Sequence, residues 1–302
     1  MSRLSSAAFG GTILTVSAMA CFATLDTTTK YISASVPLLM ALWFRYTFQA
    51  LATTALMLPI RGLAVLKTAH PKFQFLRGVL LICSSAMAFF SLRYMAVGEF
   101  TAIVMITPLV ITLLASTSLG EKVSPLRWVL VSGGFVGALV IVRPGHDAFN
   151  WAVLLPLGLV ISNSWYQVLT SKLAQTEDPV TMHLYSGWIG ALLASLALPL
   201  VWTSLPSWSL WGWLVLMGGA ASLGHFMLIL AYQRAPAAAL TPYLYSQIGF
   251  AMVGGWLAFG HVPDRVSMLG IGLIVICGAA GAYLAVHESR AAAQFKVQPV
   301  EN

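Results

Sequence analysis

The sequence predicts an all-α integral membrane protein with ten transmembrane helices arranged as two inverted five-helix repeats. Three observations carry that prediction. Of 302 residues, 59% are hydrophobic and only 8% are charged, against roughly 25% charged in a soluble domain. Apolar runs of about 20 residues, the length that crosses a hydrocarbon core, recur along the whole chain. The second half also repeats features of the first at an offset of 138 to 142 residues. With 16 Lys+Arg and 9 Asp+Glu, the chain has too few charges to solvate a globular surface. A soluble enzyme, a nucleic-acid binder and a disordered protein are thereby excluded.

In chain order the apolar runs fall at 8–30, 37–58, 73–95, 99–118, 125–143, 149–172, 180–201, 208–232, 236–258 and 265–287. The first contains Ala18-Met19-Ala20-Cys21, which resembles a lipoprotein signal. It lacks the Leu three residues before the Cys, however, and it matches a later span, so it is read as a helix. The third and fourth runs are divided only near Gly98, and the eighth and ninth only at Ala235-Pro236. Cys21, Cys83 and Cys277 all lie inside apolar runs, with neither disulfide nor metal-ligand spacing, and read as small buried hydrophobes.

Placing the N-terminus inside puts eleven cations on the cytoplasmic face: Arg3, Arg61, Lys67, Lys72, Arg77, Lys122, Arg127, Lys172, Arg234, Arg290 and Lys296. Four fall outside, Lys30, Arg93, Arg143 and Arg265, while Arg45 lies within the second span. The positive-inside rule then predicts both termini in the cytoplasm, in a bacterial inner (plasma) membrane.

A shift of 142 lays Lys30 on Lys172, Pro37 on Pro179 and Met40 on Met182 without a gap. Later the shift falls to 138–140, setting Tyr94 on Tyr232 and Leu119-Gly120-Glu121 on Phe259-Gly260-His261. Residues 1–145 and 146–290 are therefore predicted to be repeated units, with 291–302 a cytoplasmic tail. Five helices per unit is an odd number, so the second unit runs through the membrane in the opposite sense.

The run from Ala102 to Gly120-Glu121 with Pro108, followed by Gly133, Gly134 and Gly137, resembles the first repeat of EamA-type carriers of the drug/metabolite transporter superfamily. Tyr245-Ser246-Gln247, Phe259-Gly260-His261-Val262-Pro263-Asp264 and Gly270 resemble the second. The resemblance implies secondary export of a small metabolite, the aromatic-amino-acid exporters being the nearest match; drugs, nucleosides or other metabolites are the alternative cargoes. Two positions depart from the family pattern. His261 replaces an acidic residue, and Ile248 stands where the middle of the ninth span usually carries proline, with Pro242 six residues earlier.

Polar side chains in hydrocarbon normally face a bundle interior or a water-filled cavity. Ser17, Cys21, Thr24 and Thr28 share one face of the first span. The 142 shift sets Asn163, Tyr166 and Thr170 opposite Cys21, Thr24 and Thr28, with Gln167 one turn beyond Asn163. Such stripes line a substrate site or serve as packing seams. Arg45, about 10 Å into its span, is expected to meet Asp26, Glu99 or a substrate carboxylate, or else to snorkel. Asp26 is also placed to pair with Lys30, and Glu99 to cap a helix start. Glu121 reads as a helix-end signal. His225 lies among Gly218, Gly219, Ser222 and Gly224, where the backbone is open to close approach, and reads as a ligand-contacting or a satisfied structural histidine. His183 is assigned no role.

Pro108 and Pro242 are expected to kink the fourth and ninth spans. Met105, Tyr245 and Gln247 are expected to line the site beside them. Trp43, Phe90, Trp165 and Tyr245 offer rings for stacking, and Phe90 and Trp165 join the expected substrate-binding set. Gly133-x-x-x-Gly137 is a packing seam, within the chain or between two copies, so a monomer and a homodimer are both open. Zinc-helix, nucleophile-elbow, Walker and dinucleotide motifs are absent. No catalytic residue, metal or cofactor is expected; the partners are a small-molecule substrate and membrane lipid, not nucleic acid. A channel and an intramembrane enzyme are the rival readings.

Overall fold

Proline punctuates the helix starts. Pro71, Pro125 and Pro179 are each the first residue of a helix, where the missing N–H is one the helix leaves unpaired anyway. A computed structural model describes residues 3–94, 103–142, 153–204, 207–260 and 264–295. Among them the regular structure is entirely helical. The elements are α1 (Arg3–Ile32), α2 (Leu38–Arg61), a 3-10 turn (Gly62–Leu66), α3 (Pro71–Tyr94), α4 (Thr107–Ser118), α5 (Pro125–Val142) and α6 (Leu154–Leu173). Then come α7 (Pro179–Val201), α8 (Trp208–Arg234), α9 (Ala237–Leu244), α10 (Ser246–Phe259) and α11 (Arg265–Phe295). Five helical stretches are long and apolar enough to cross a membrane, namely Phe9–Ile32, Leu38–Leu66, Pro71–Ser91, Pro179–Val201 and Trp208–Arg234. Gly98, Glu99, Arg143, His261 and Lys296 lie outside the described residues.

Two of the expected spans are broken rather than continuous. In the fourth, a turn at Met105-Ile106 precedes α4. Pro108 therefore occupies the second position of a helix instead of kinking its middle. In the ninth, Pro242 lies inside α9, and the break follows at Tyr245. Pro242 has no N–H to give the carbonyl of Ala238, one turn back. The Thr241 hydroxyl donates to that carbonyl instead, at 3.0 Å. The two breaks, at Met105 and Tyr245, are 140 residues apart.

The most extensive helix pairs are α1 on α8, α3 on α6, α2 on α7, α5 on α11, α1 on α10, α4 on α6, α2 on α8, α3 on α7, α1 on α11, and α4 on α9. Small residues make the closest of these possible. The Tyr46 ring lies over Gly190, and a β-carbon there would overlap it. Gly133 and Gly137 face Cys277, Gly270 and Ile274 of α11, so this glycine seam is used within the chain. One buried cluster ties α1, α4, α6, α8 and α9 through Met19, Ile111, Val168, Ile229, Tyr232 and Leu240. On the outside, Leu200 and Trp208 are 86% and 89% exposed, as befits side chains facing lipid.

Candidate functional site

Arg45 stands on α2, and its side chain is buried between helices. Its Nη2 lies 2.8 Å from His225 Nε2 on α8, and its Nη1 donates to Ser85 Oγ on α3 at 3.3 Å. The Tyr46 hydroxyl shares that serine at 3.0 Å. Because a guanidinium only donates, His225 Nε2 is the acceptor and Nδ1 carries the ring proton. The imidazole is fixed between two rings, Phe22 of α1 at 4.8 Å and Tyr166 of α6 at 6.0 Å, both edge-on. Gly224 admits Phe22 to this position, since a side chain there would meet its ring. Arg45, Tyr166 and His225, three residues singled out from the sequence, thus form one cluster. Asp26 is not the hydrogen-bonded partner of Arg45.

A second guanidinium also lies against Tyr166. Arg77 of α3, counted above among the face cations, is wholly enclosed. It sits four residues inside the apolar run 73–95, and that position was the available signal. Its Nε donates to Thr170 Oγ1 at 3.0 Å and its Nη1 to Gln74 Oε1 at 2.7 Å. The carbonyl of Met182 accepts from Nη1 at 3.4 Å, and the guanidinium carbon is 5.4 Å from the Tyr166 ring centre. His183 nearby is held by Ser222 Oγ at 2.9 Å and by Gln49, whose amide also donates to the His183 carbonyl at 3.0 Å.

The other expected residues have separate surroundings. Asn163 accepts from Gln167 at 2.6 Å, and Gln167 in turn accepts from the Tyr232 hydroxyl at 2.6 Å. Gln247 donates to Asp26 at 2.7 Å. Lys30, the expected partner of Asp26, instead lies over the Phe259 ring at 4.9 Å. The Tyr245 ring packs on Gly134, and its hydroxyl donates to the Met105 carbonyl at 3.3 Å, which ties the two helix breaks together. Thr24 donates to Ala20 within its own helix. Phe90 and Trp165 are exposed.

One end of the bundle is closed by polar contacts between connections. Arg61 and Asp178 form an ion pair at 2.8 Å. Glu177 Oε1 accepts from the backbone N–H groups of Ala69 and His70, each at 3.0 Å, and lies 2.9 Å from His70 Nδ1. Burial pushes the Glu177 carboxyl up, but bonding from the His70 and Thr68 side chains and the two backbone groups outweighs it and holds the pKa below the usual range. Glu121, read as a helix-end signal, accepts from the N–H groups of Ala237 and Ala238 at 3.1 and 3.0 Å, capping α9 from another connection. Gln175 donates to the Tyr232 carbonyl at 2.7 Å. At the opposite end, Ser33–Pro37, Thr203 and Ser204 line an open cleft of about 450 Å³.

A buried guanidinium, an imidazole, hydroxyls and aromatic rings gathered from α1, α2, α3, α6 and α8 are suited to hold a small solute with a polar end and an apolar body. Residues 9–143 match the EamA-like transporter family. A riboflavin transporter of Vibrio cholerae is 31% identical over 70% of this chain and 71% of its own length. The chain belongs to the EamA-like transporter family. Another riboflavin transporter, from Rhizobium johnstonii, is 28% identical over 88% of each chain. An S-adenosylmethionine uptake transporter of Rickettsia conorii is 26% identical over 83% of this chain and 84% of its own. A solved crystal structure with 20% identity superposes with a TM-score of 0.77, covering 91% of this chain and 97% of the other. This EamA-family protein is therefore a membrane transporter. Its named relatives carry riboflavin and S-adenosylmethionine rather than amino acids, and one is named for uptake, so neither aromatic amino acids nor export follows from membership.

Proposed function

We propose that this EamA-family protein is a secondary carrier that moves a small amphipathic metabolite across a bacterial inner membrane by alternating access. The carrying observation is the Arg45–His225–Tyr166 cluster, because its side chains come from both halves of the chain. The halves act as inverted five-helix repeats, 1–145 and 146–290. In support, exchanging α1 with α6, α2 with α7, α3 with α8, α4 with α9 and α10, and α5 with α11 carries most of the closest helix pairs into one another, α1 on α11 being an exception. The two helix breaks exchange as well. Both termini lie in the cytoplasm, which makes the end closed by Glu177 and Glu121 the cytoplasmic one.

The cargo carries an aromatic ring, held by stacking against Phe22, Tyr46 and Tyr166, with its polar group at Arg45. The riboflavin and S-adenosylmethionine named for the relatives each contain a flat aromatic ring system, and aromatic amino acids share that feature. Proteoliposomes preloaded with unlabelled riboflavin, S-adenosylmethionine, phenylalanine or a nucleoside test the reading. For at least one of them, preloading is expected to accelerate entry of the labelled compound, and Arg45→Gln is expected to slow it. Label entry that ignores preloading in every case overturns the carrier reading in favour of a channel or a non-transporting protein. Imposing the gradient in either direction reads out uptake against export.

A further inference from the structure

Two guanidinium groups are buried in this bundle, and among the described residues no carboxylate is within ion-pair distance of either. Arg77 is bonded to neutral acceptors, the Thr170 hydroxyl, the Gln74 amide and the Met182 carbonyl, with the Tyr166 hydroxyl beside it. Arg45 is bonded to a serine and an imidazole. Asp26 acts on Arg45 and Glu177 on Arg77 only through space, and both carboxylates are committed to other donors. The interior also has donors left over: Arg45 Nε, Arg77 Nη2, Gln74 Nε2 and the protonated Nδ1 of His225 have no well-formed hydrogen bond. An uncompensated buried charge is unfavourable, and an unmatched buried donor adds to that. The unpaired Gln49 Oε1 is an acceptor left over in the same interior, but it is neutral, so the two guanidiniums still lack an anion.

We propose that the polar core around Arg45 and Arg77 is an anion site, and that the transported metabolite is an aromatic carboxylate. The carboxylate supplies the missing acceptors, since an Arg fork binds it through two parallel N–H bonds. The Tyr166 ring, which both Arg77 and His225 approach, receives the aromatic body. This assignment rests on the carrier reading for its cargo, and the site itself stands on the two guanidinium environments.

The full chain in detergent, titrated with phenylacetate, with its neutral amide phenylacetamide and with sodium chloride, tests the proposal through the thermal unfolding midpoint and tryptophan fluorescence. Phenylacetate is expected to raise the midpoint, the amide to leave it unchanged, and Arg77→Gln or Arg45→Gln to weaken phenylacetate binding at least tenfold. Arg77→Lys is expected to retain part of the response. Equal binding of the amide overturns the anion site. A response to chloride with none to phenylacetate overturns the cargo assignment and leaves an inorganic counter-ion. Competition in wild-type proteoliposomes needs no variant: riboflavin counterflow indifferent to phenylacetate refutes the inference while the carrier reading stands. Phenylacetate binding without counterflow of any solute refutes the carrier reading and keeps the site.

Discussion

Glu177→Gln is the substitution whose effect the structure fixes most closely. The Glu177 side chain is 3% exposed and receives two backbone N–H groups and the His70 ring. Glutamine keeps an oxygen acceptor of the same shape but loses the charge. A hydrogen bond to a charged group contributes about 1.5–3 kcal/mol and a neutral one about 0.5–1.5, so each contact weakens by about 1 kcal/mol. Three contacts would sum to about 3 kcal/mol. His70 is 39% exposed, so its share is discounted for screening, and about 2 kcal/mol remains. At about 1.4 kcal/mol per factor of ten, the closed end is expected to open about 30-fold more often. Leu184, buried behind the latch with Val65 and Val180, reports on that opening. In a background with Cys21, Cys83 and Cys277 replaced, Leu184→Cys should react with a water-soluble maleimide about 30-fold faster when Glu177→Gln is added. The acid dependence has a definite sign. Because the folded pKa is depressed, the contribution is complete above the ordinary glutamate value of about 4.3 and is lost as pH falls through the lower folded value. Because the thiolate is the reacting species, the readout is the ratio of the Glu177→Gln rate to that of its parent at each pH, which should be flat from pH 7 to pH 5 and fall toward one below about pH 4. An unchanged rate in both Glu177→Gln and Glu177→Ala, in protein that still elutes as a folded species, refutes the latch.

Gly190→Ala should lower the detergent unfolding temperature, since the new methyl overlaps the Tyr46 ring and such overpacking costs about 1–3 kcal/mol; Gly212→Ala, with nothing within 4 Å of the added carbon, should not. Thr241→Val removes the donor to the Ala238 carbonyl and the 3.0 Å contact with Thr112, and is expected to cost about 1–2 kcal/mol by the same measurement. At the open end, Val36→Asp with Thr203→Arg introduces an ion pair across the cleft. A cysteine at Ser35 should then label more slowly in the double variant than in either single one, and equal rates would show that the two segments do not approach.

The class of molecule was legible because membrane burial is written in bulk composition and run length, which need no tertiary knowledge. Arg45 and His225 were each conspicuous as polar groups in apolar surroundings. Their contact joins positions 180 apart in the chain, and no local periodicity encodes it. Arg77 escaped for a different reason: counting charges by face treats any cation near a helix end as solvated. Yet α3 begins at Pro71, so Arg77 lies about 9 Å along the axis, deep enough for α6 and α7 to enclose it. His183 had no local sign of importance, because Gln49 and Ser222 approach it from α2 and α8. Proline misled in the fourth span for a plain steric reason, since the residue that cannot continue a helix is also the one best suited to begin it.

The two ends of the bundle differ at positions that the proposed repeat offset relates. Subtracting 142 from Glu177 and Asp178 gives Ser35 and Val36, and adding it to Arg61 gives Thr203. The ion pair between Arg61 and Asp178 at one end thus has as its counterparts Thr203 and Val36 at the other, and those are two of the residues lining the open cleft. Glu177, which binds two backbone N–H groups, has a serine as its counterpart. Duplicated helices would by themselves build two similar ends with similar preferences for closing. Here, among the described residues, Glu177, Asp178 and Glu121 bond between connections at one end, while Asp264 at the other accepts from Ser267 N–H in its own helix, so the closed state of the first end gains charge-assisted bonds. On the proposed carrier reading, such a chain rests with the end held by Glu177 and Asp178 shut. Cargo bound at the proposed Arg45–Arg77 site would then have to supply the free energy that opens the latch, by favouring the opposite arrangement through its own contacts.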